Sequence, residues 1–149
     1  ANGGSGSMPA QNFTVGVSQS IAKNEFTRIY HGFVEWNTKA DGTGDHYDKG
    51  ASYILTAVST TLYAEWTPNQ YTITYKDQGD SDFSGTHESG YPTTHTYGTA
   101  TTLKNASKTG YTFGGYYTST NGGGTQYIDA NGGGVNNIYQ NQTLCYLYL

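Results

Sequence analysis

One stretch of the sequence occurs twice: TRIYHGFVEWNT at residues 27–38 and SKTGYTFGGYYT at residues 107–118. A glycine-rich turn follows each copy. A closing run comes later in each, TLYAEW at residues 61–66 and TLCYLY at residues 143–148. Because the order and spacing of these motifs agree, they indicate one small structural unit written twice in tandem.

The repeat predicts two domains joined by a short polar linker. We place the first domain at residues 1–67, the linker at residues 68–70 and the second domain at residues 71–149. Pro68 lies in this linker. Because proline cannot donate a hydrogen bond to a sheet, it is typical of a joint between domains.

Several segments have the period of a half-buried β-strand. In residues 71–75, YTITY, the aromatic and aliphatic side chains face one way and the threonines face the other. Residues 60–66 and residues 13–17 alternate in the same manner. The strongest helical segment, residues 18–26, offers a single turn that Ser18 would cap. We therefore predict a mainly β (small α+β) fold with little or no helix.

The two copies do not begin in the same way. The second copy opens with the strand at residues 71–75, whereas Ala1–Gly4 of the first copy already corresponds to the turn after that strand. The first copy therefore lacks its opening strand. Either the sequence is a fragment of a longer chain, which we expect, or a strand from another molecule fills the place by β-augmentation.

The composition excludes several classes of protein. The 149 residues include 21 Gly and 15 Tyr but only seven Lys or Arg, and the net charge is -4. This leaves no basic surface for nucleic acid, and no apolar run is long enough to cross a bilayer. One cysteine, Cys145, excludes an intrachain disulfide; we expect an inert thiol in the last strand. Few lysines and many Thr, Asn and Gly residues favour an exported protein.

These motifs resemble the Listeria–Bacteroides repeat, also called the internalin B B-repeat. The resemblance covers nearly the whole chain, and it implies two tandem β-grasp-like (ubiquitin-like) domains. The matching segments are residues 1–11, 36–44 and 61–66 of the first copy and residues 71–75, 109–118 and 143–144 of the second.

The same resemblance implies a function without catalysis. Repeats of this family belong to secreted or wall-attached bacterial surface proteins, in which they act as stalks, spacers or adhesion modules. We therefore expect an extracellular location on the cell surface or cell wall. The expected partners are other repeats or domains of the same parent chain, and a host or neighbouring surface protein that binds through a sheet edge. We expect no enzyme activity, no nucleic acid and no membrane insertion.

A domain of this size depends on large side chains at its centre. The aromatic residues of the repeated stretch and the inward-facing residues of the predicted strands are the natural candidates. The predicted core consists of Phe33, Trp36, Leu62, Trp66, Tyr71, Ile73, Tyr75, Phe113, Tyr116 and Leu144.

No arrangement of residues predicts a cofactor, a metal or a catalytic group. Asp41, Asp45 and Asp48 are close enough for a calcium loop, but their spacing is not that of an EF-hand, and a solvated turn is the preferred interpretation. The four histidines are scattered and form no HExxH motif. His46 and His87 nevertheless have carboxylates beside them in the sequence.

The tyrosines support an alternative function, a carbohydrate-binding module. An exposed tyrosine ring can stack on a sugar, although the commoner role of tyrosine in a small sheet is to cover the core with its hydroxyl in water. The candidates for a glycan surface are Tyr63, Tyr91, Tyr97, Tyr116, Tyr117, Tyr146 and Tyr148.

Overall fold

The protein is built from short β-strands. The computed structural model describes residues 1–134 and the strand at residues 145–148. These residues form twelve strands and no helix, which confirms the prediction of a mainly β protein. The β-grasp-like arrangement stays a prediction. In chain order the strands are β1 (Ser18–Ser20), β2 (His31–Asn37), β3 (His46–Tyr47), β4 (Ser52–Ile54), β5 (Tyr63–Pro68), β6 (Gln70–Lys76), β7 (Thr86–His87), β8 (Thr94–Thr96), β9 (Ala106–Ser107), β10 (Tyr116–Ser119), β11 (Gly123–Ile128) and β12 (Cys145–Tyr148).

The chain divides into a first unit, Ala1–Pro68, and a second unit, Asn69–Leu149. Most of the predicted linker lies within strands, because β5 ends at Pro68 and β6 begins at Gln70. Asn69 is therefore the one residue between the last strand of the first unit and the first strand of the second.

In the first unit, two small antiparallel sheets cover a core of aromatic rings. Strand β2 lies between β3 and β5, and β1 pairs with β4. Trp36 of β2 is buried, and its ring meets those of Phe33 and Phe26 edge to face, with centroids 5.1 and 6.2 Å away. Ile21 and Ala64 are the other buried members of this cluster.

The segment that precedes β2 differs from the sequence-based prediction. Residues 13–17 do not form a strand, because a turn closed from Val17 N to Thr14 O, with Gly16 at φ +77°, interrupts the alternation. Strand β1 then replaces the predicted helical turn at residues 18–26. Pairing with β4 gives the backbone N–H and C=O groups of β1 hydrogen-bond partners, which a single helical turn would not provide. This pairing outweighs the weak helical propensity of the segment.

The second unit contains a five-stranded sheet with the order β11-β10-β12-β6-β8. Strands β12 and β6 are parallel, and the other pairs are antiparallel. The side chains of Ile73 and Tyr75, on one face of β6, are buried in the core. Tyr116 of β10 is fully buried between Tyr75 and Phe113, whose ring centroids each lie 5.2 Å away.

Most of the predicted core residues lie in these two clusters or at their edges. Trp36, Ile73, Tyr75 and Tyr116 are buried; Phe33, Leu62, Trp66, Tyr71 and Phe113 are half-buried; Leu144 lies outside the described residues. The buried apolar residues that the sequence did not single out are Ile21, Leu55, Leu103, Ala106, Tyr127 and Ile128.

A close approach of two backbones makes Gly85 sensitive to substitution. A Cβ atom there would overlap the carbonyl oxygen of Ser107, on the paired strand β9, and the ring of Phe83. Gly85→Ala is therefore expected to lower the free energy of unfolding of the second unit by about 1–3 kcal/mol, measured by urea denaturation. Gly79→Ala is the matched control, because its Cβ meets no atom within 4 Å. Equal losses in the two variants would contradict this reason.

Candidate functional site

A groove with both apolar and polar side chains in its lining lies in the first unit. It has a volume of about 580 Å³. Its floor is formed by the core residues Ile21, Phe26 and Trp36, and Phe13 and Leu62 line it as well. Among the described residues, no histidine, cysteine or carboxylate lines this groove.

One edge of strand β5 is open beside this part of the first unit. Strand β5 pairs with β2 on one side, and among residues 1–134 and 145–148 no strand pairs with its other side. In the second unit, the closing strand β12 has neighbours on both sides, β10 and β6. An open edge presents backbone donors and acceptors that can accept a further strand.

The first residues of the chain lie against β5. The indole Nε1 of Trp66 donates a hydrogen bond to the carbonyl oxygen of Ala1 at 3.1 Å. The Asn2 side chain donates to the carbonyl oxygens of Ala64 and Ala40, each at 3.0 Å. Ala1 is therefore held beside the C-terminal half of β5.

Three neighbouring strands bring Glu35, His46 and Glu65 together. Their ligand atoms lie within 4.8 Å of one another. His46 Nδ1 lies 2.7 Å from Glu35 Oε1, and this hydrogen bond raises the pKa of His46. Glu65 Oε1 is buried without a hydrogen-bond partner among the described residues. The sequence placed Asp45 and Asp48 beside His46, but it could not reveal the two glutamates, because they lie on other strands.

His46 and Glu35 can form an ion pair, and one imidazole with two carboxylates is also a set of ligands that can bind a divalent cation. The His46 side chain is 52% exposed, so water screens its interaction with Glu35.

Asp41, which follows β2, closes a local turn. Asp41 Oδ1 accepts hydrogen bonds from the backbone N of Thr43 at 3.1 Å and from its hydroxyl at 2.8 Å. These bonds lower the pKa of Asp41. The carboxylate is thus used locally, as is typical of an Asx turn.

Two histidines of the second unit are packed against other side chains. The His87 ring stacks on Tyr91 with centroids 4.0 Å apart and also contacts Phe83. His95 is 1% exposed; its Nδ1 is 2.9 Å from the Thr101 hydroxyl, and its buried Nε2 has no partner among the described residues. Burial lowers the pKa of both histidines, which favours their neutral forms.

This burial predicts that acid destabilises the second unit. A histidine with a lowered folded pKa binds protons more readily when unfolded, so stability is complete above the unfolded pKa of about 6.5 and falls as the pH drops below it. The melting temperature of the second unit, measured by calorimetry, is expected to fall between about pH 7.5 and about pH 5. His95→Gln should reduce this slope, and an unchanged slope would contradict the assignment to His95.

The first unit provides an internal comparison, because the pKa of His46 is raised and not lowered. The contribution of His46 to the stability of the first unit is present below its unfolded pKa and is lost as the pH rises through its folded pKa. Both tryptophans of the chain, Trp36 and Trp66, lie in the first unit, so tryptophan fluorescence follows this unit separately.

The tyrosines proposed for a glycan surface differ in how far their rings are exposed. Tyr116 is fully buried and cannot stack on a sugar, so its inclusion was wrong. One face of Tyr91 is covered by His87. The side chains of Tyr146 and Tyr148 lie outside the description. A different residue, Tyr111, is 72% exposed, and it lines a cleft of about 350 Å³ with Lys108 and Asp77.

An ion pair closes one side of this cleft. Lys108 Nζ lies 2.6 Å from Asp77 Oδ2 and 4.7 Å from the centroid of the Tyr111 ring. The hydrogen bond from Lys108 lowers the pKa of Asp77. The cleft therefore combines an exposed aromatic face with fixed polar groups.

Within the described residues, no helix is long and apolar enough to span a membrane. Cys145 lies in β12, the last strand, as expected.

Comparison with known proteins gives one family and two relatives. The Listeria-Bacteroides repeat domain matches residues 1–65 and again residues 71–144. A protein of Evansella cellulosilytica named "Putative Gly-rich membrane protein" is 31% identical over 116 residues, which are 76% of this chain and 13% of that protein. A second, from the same organism and named "Putative membrane protein", is 36% identical over 56 residues, 38% of this chain and 8% of that protein. The chain thus spans a small part of either relative. No solved structure matches it significantly.

Proposed function

Because the chain belongs to the Listeria-Bacteroides repeat family, with two tandem matches, we propose that it is a non-catalytic repeat segment that serves as a stalk or spacer in a bacterial surface protein. In such arrays each repeat adds length, and stability is approximately a sum over units and their neighbours. The proposed location is extracellular, at the cell surface or cell wall. The names of both relatives support an association with the membrane of the cell.

The main support for this proposal is that each copy of the repeated pattern forms a unit with its own core. Each unit has its own cluster of buried side chains around a repeated aromatic position, Trp36 in one and Tyr116 in the other. The last strand of one unit is followed after Asn69 by the first strand of the next. A chain built in this way can be extended by adding units without changing those already present.

The absence of catalysis is part of the proposal. The groove of the first unit has no histidine, cysteine or carboxylate in its lining, and the His87 ring of the second unit is stacked on Tyr91 and in contact with Phe83. The proposed partners are other repeats or domains of the same parent protein, and a host or neighbouring surface protein bound through a sheet edge.

A surface-display experiment tests the spacer role. One or three copies of the chain would be placed between a cell-wall anchor and an epitope tag on a bacterium. We expect antibody binding to the tag to rise with copy number, because the tag is carried out of the wall. Equal binding at both copy numbers, with equal amounts of displayed protein, would contradict the spacer role.

A second candidate, carbohydrate binding, rests on the cleft beside Tyr111. Its exposed ring next to Lys108 and Asp77 has the combination of aromatic face and polar groups that sugars bind. A glycan array would test it. Binding to a defined glycan that Tyr111→Ala abolishes would favour this function, and an array without binding would exclude it for the sugars present.

A further inference from the structure

Three side chains with metal-binding atoms share one face of the sheet β3-β2-β5 in the first unit. They are Glu35, His46 and Glu65, one on each strand. Each has a neighbour in its own strand that belongs to the core cluster, and these neighbours are Trp36, Tyr47 and Ala64. Because successive residues of a strand point to opposite faces, the three side chains lie on the face that is turned away from the core.

A bulge in β2 brings the two glutamates together. The register of β2 against β5 shifts between Phe33 and Trp36, so that two residues of β2 stand opposite the single residue Glu65. Glu35 is one of these two residues. The extra residue lets Phe33 and Trp36 both pack in the core while Glu35 approaches Glu65. Bulges of this kind redirect side chains and are common beside functional sites.

The charges of this group are incompletely paired. Glu35 Oε1 lies 2.7 Å from His46 Nδ1, whereas Glu65 Oε1 is buried without a hydrogen-bond partner among the described residues. A Cβ atom on Gly42 would lie 3.0 Å from this oxygen, so the backbone of the turn after β2 covers it. Buried charges in proteins are usually paired or bound to a metal. A divalent cation would give Glu65 a partner and offset the repulsion between the two carboxylates.

The kinds of ligand indicate which ion fits. Zinc accepts both imidazole nitrogen and carboxylate oxygen, whereas calcium and magnesium prefer oxygen ligands alone. The ligand atoms of the group lie within 4.8 Å of one another. Tetrahedral zinc would hold them about 3.3 Å apart, which small side-chain rotations can achieve. Half of the His46 side chain is exposed, so an ion can enter from solvent.

The second copy of the repeat forms the corresponding sheet without these ligands. That sheet is β11-β10-β12, and the residues at the three positions are Gly115, Gln126 and Leu147. The shared fold therefore does not require a histidine and two carboxylates on this face. Their meeting in the first unit is a property of that unit alone.

We propose that Glu35, His46 and Glu65 are the ligands of a zinc ion that joins strands β2, β3 and β5 of the first unit. Three protein ligands leave the fourth position of tetrahedral zinc to water. The ion holds the two-residue strand β3 to the sheet and stabilises the folded unit, because the ligands meet only in the folded chain. This inference goes beyond the spacer role and does not depend on it.

A zinc titration of the full chain tests the proposal. The protein is freed of metal with EDTA and dialysed, and the melting temperature of the first unit is followed by the fluorescence of Trp36 and Trp66. Once the site is more than half filled, we expect this temperature to rise by about 5–10 °C for each tenfold increase in zinc chloride. No rise up to about 1 mM zinc chloride, or an equal rise with calcium chloride, would overturn the proposal.

Two variants locate the site. His46→Gln removes the imidazole, and Glu65→Gln removes one carboxylate while it keeps the shape of the side chain. Each should weaken zinc binding more than about tenfold. The melting temperatures without zinc show whether the variants are folded, and Glu65→Gln decides the matter if His46→Gln is not.

The matched control is His31→Gln, which removes another histidine of the first unit and leaves the three ligands in place. The zinc response of this control should equal that of the unchanged chain. An undiminished response in the two ligand variants, or an equal loss in His31→Gln, would overturn the assignment of the ligands.

Discussion

Tyr116→Ala is expected to lower the free energy of unfolding of the second unit by about 3–5 kcal/mol. Tyr116 is fully buried at the centre of the five-stranded sheet, and its ring contacts Tyr75 and Phe113. Removing the ring would leave a cavity among side chains that come from several strands and cannot all move into it. This loss is a large part of the stability of a domain of this size, so the second unit should unfold at or near room temperature.

Tyr116→Phe is the control for the aromatic ring. The Tyr116 hydroxyl lies 3.4 Å from His87 Nδ1, a long distance for a hydrogen bond, so its loss should cost less than about 1.5 kcal/mol. Calorimetry would report the transition of the second unit, and tryptophan fluorescence would report the first. The packing explanation would be wrong if Tyr116→Phe destabilised the unit as much as Tyr116→Ala, since both variants lose the hydroxyl but only the alanine variant loses the ring.

Trp36→Ala is expected to cost the first unit about 3–5 kcal/mol. Its indole is buried and makes edge-to-face contacts with Phe33 and Phe26. Because Trp36 also forms part of the groove floor, its removal enlarges an existing depression and leaves the two phenylalanines without their central contact. The remaining Trp66 still reports the unfolding of the first unit by fluorescence.

The control for this variant is Val58→Ala. Val58 lines the rim of the same groove but is 99% exposed, so its truncation should change stability by less than about 0.5 kcal/mol. The transition of the second unit should be unchanged in both variants, because its core is separate. Loss of both transitions in Trp36→Ala would show that the two units do not fold separately.

Much of the strand structure could be predicted from residues near one another in the sequence. Ile73 and Tyr75 turn into the core as the alternation predicts, and Tyr71 is half-buried, because a period of two is a local property of extended backbone. Alternation failed at residues 13–17, where Gly16 in a turn breaks the strand. Local propensity failed again at β1, because its pairing partner, β4, lies more than thirty residues away.

The candidate site was predictable only in part. The repeat comparison aligned the two copies, but it did not locate the groove of the first unit. Ile21 and Phe26 lie in a stretch without clear periodicity, and Leu62 comes from a separate segment. The pairing of Glu35 with His46 was hidden for the same reason, since the two residues stand on different strands.

The sequence alone established the tandem repeat, its mainly β character and the family, because these depend on spacing and alternation along one chain. Folding in three dimensions settled the order of the strands, the parallel pairing of β6 with β12 and the open edge of β5. It also determined that Trp36 and Tyr116, at the same repeat position, stand in different surroundings: one faces a groove and the other is covered by Tyr75. These features depend on contacts between residues that are distant in the chain. The free energies of such contacts cannot be deduced from a local sequence pattern.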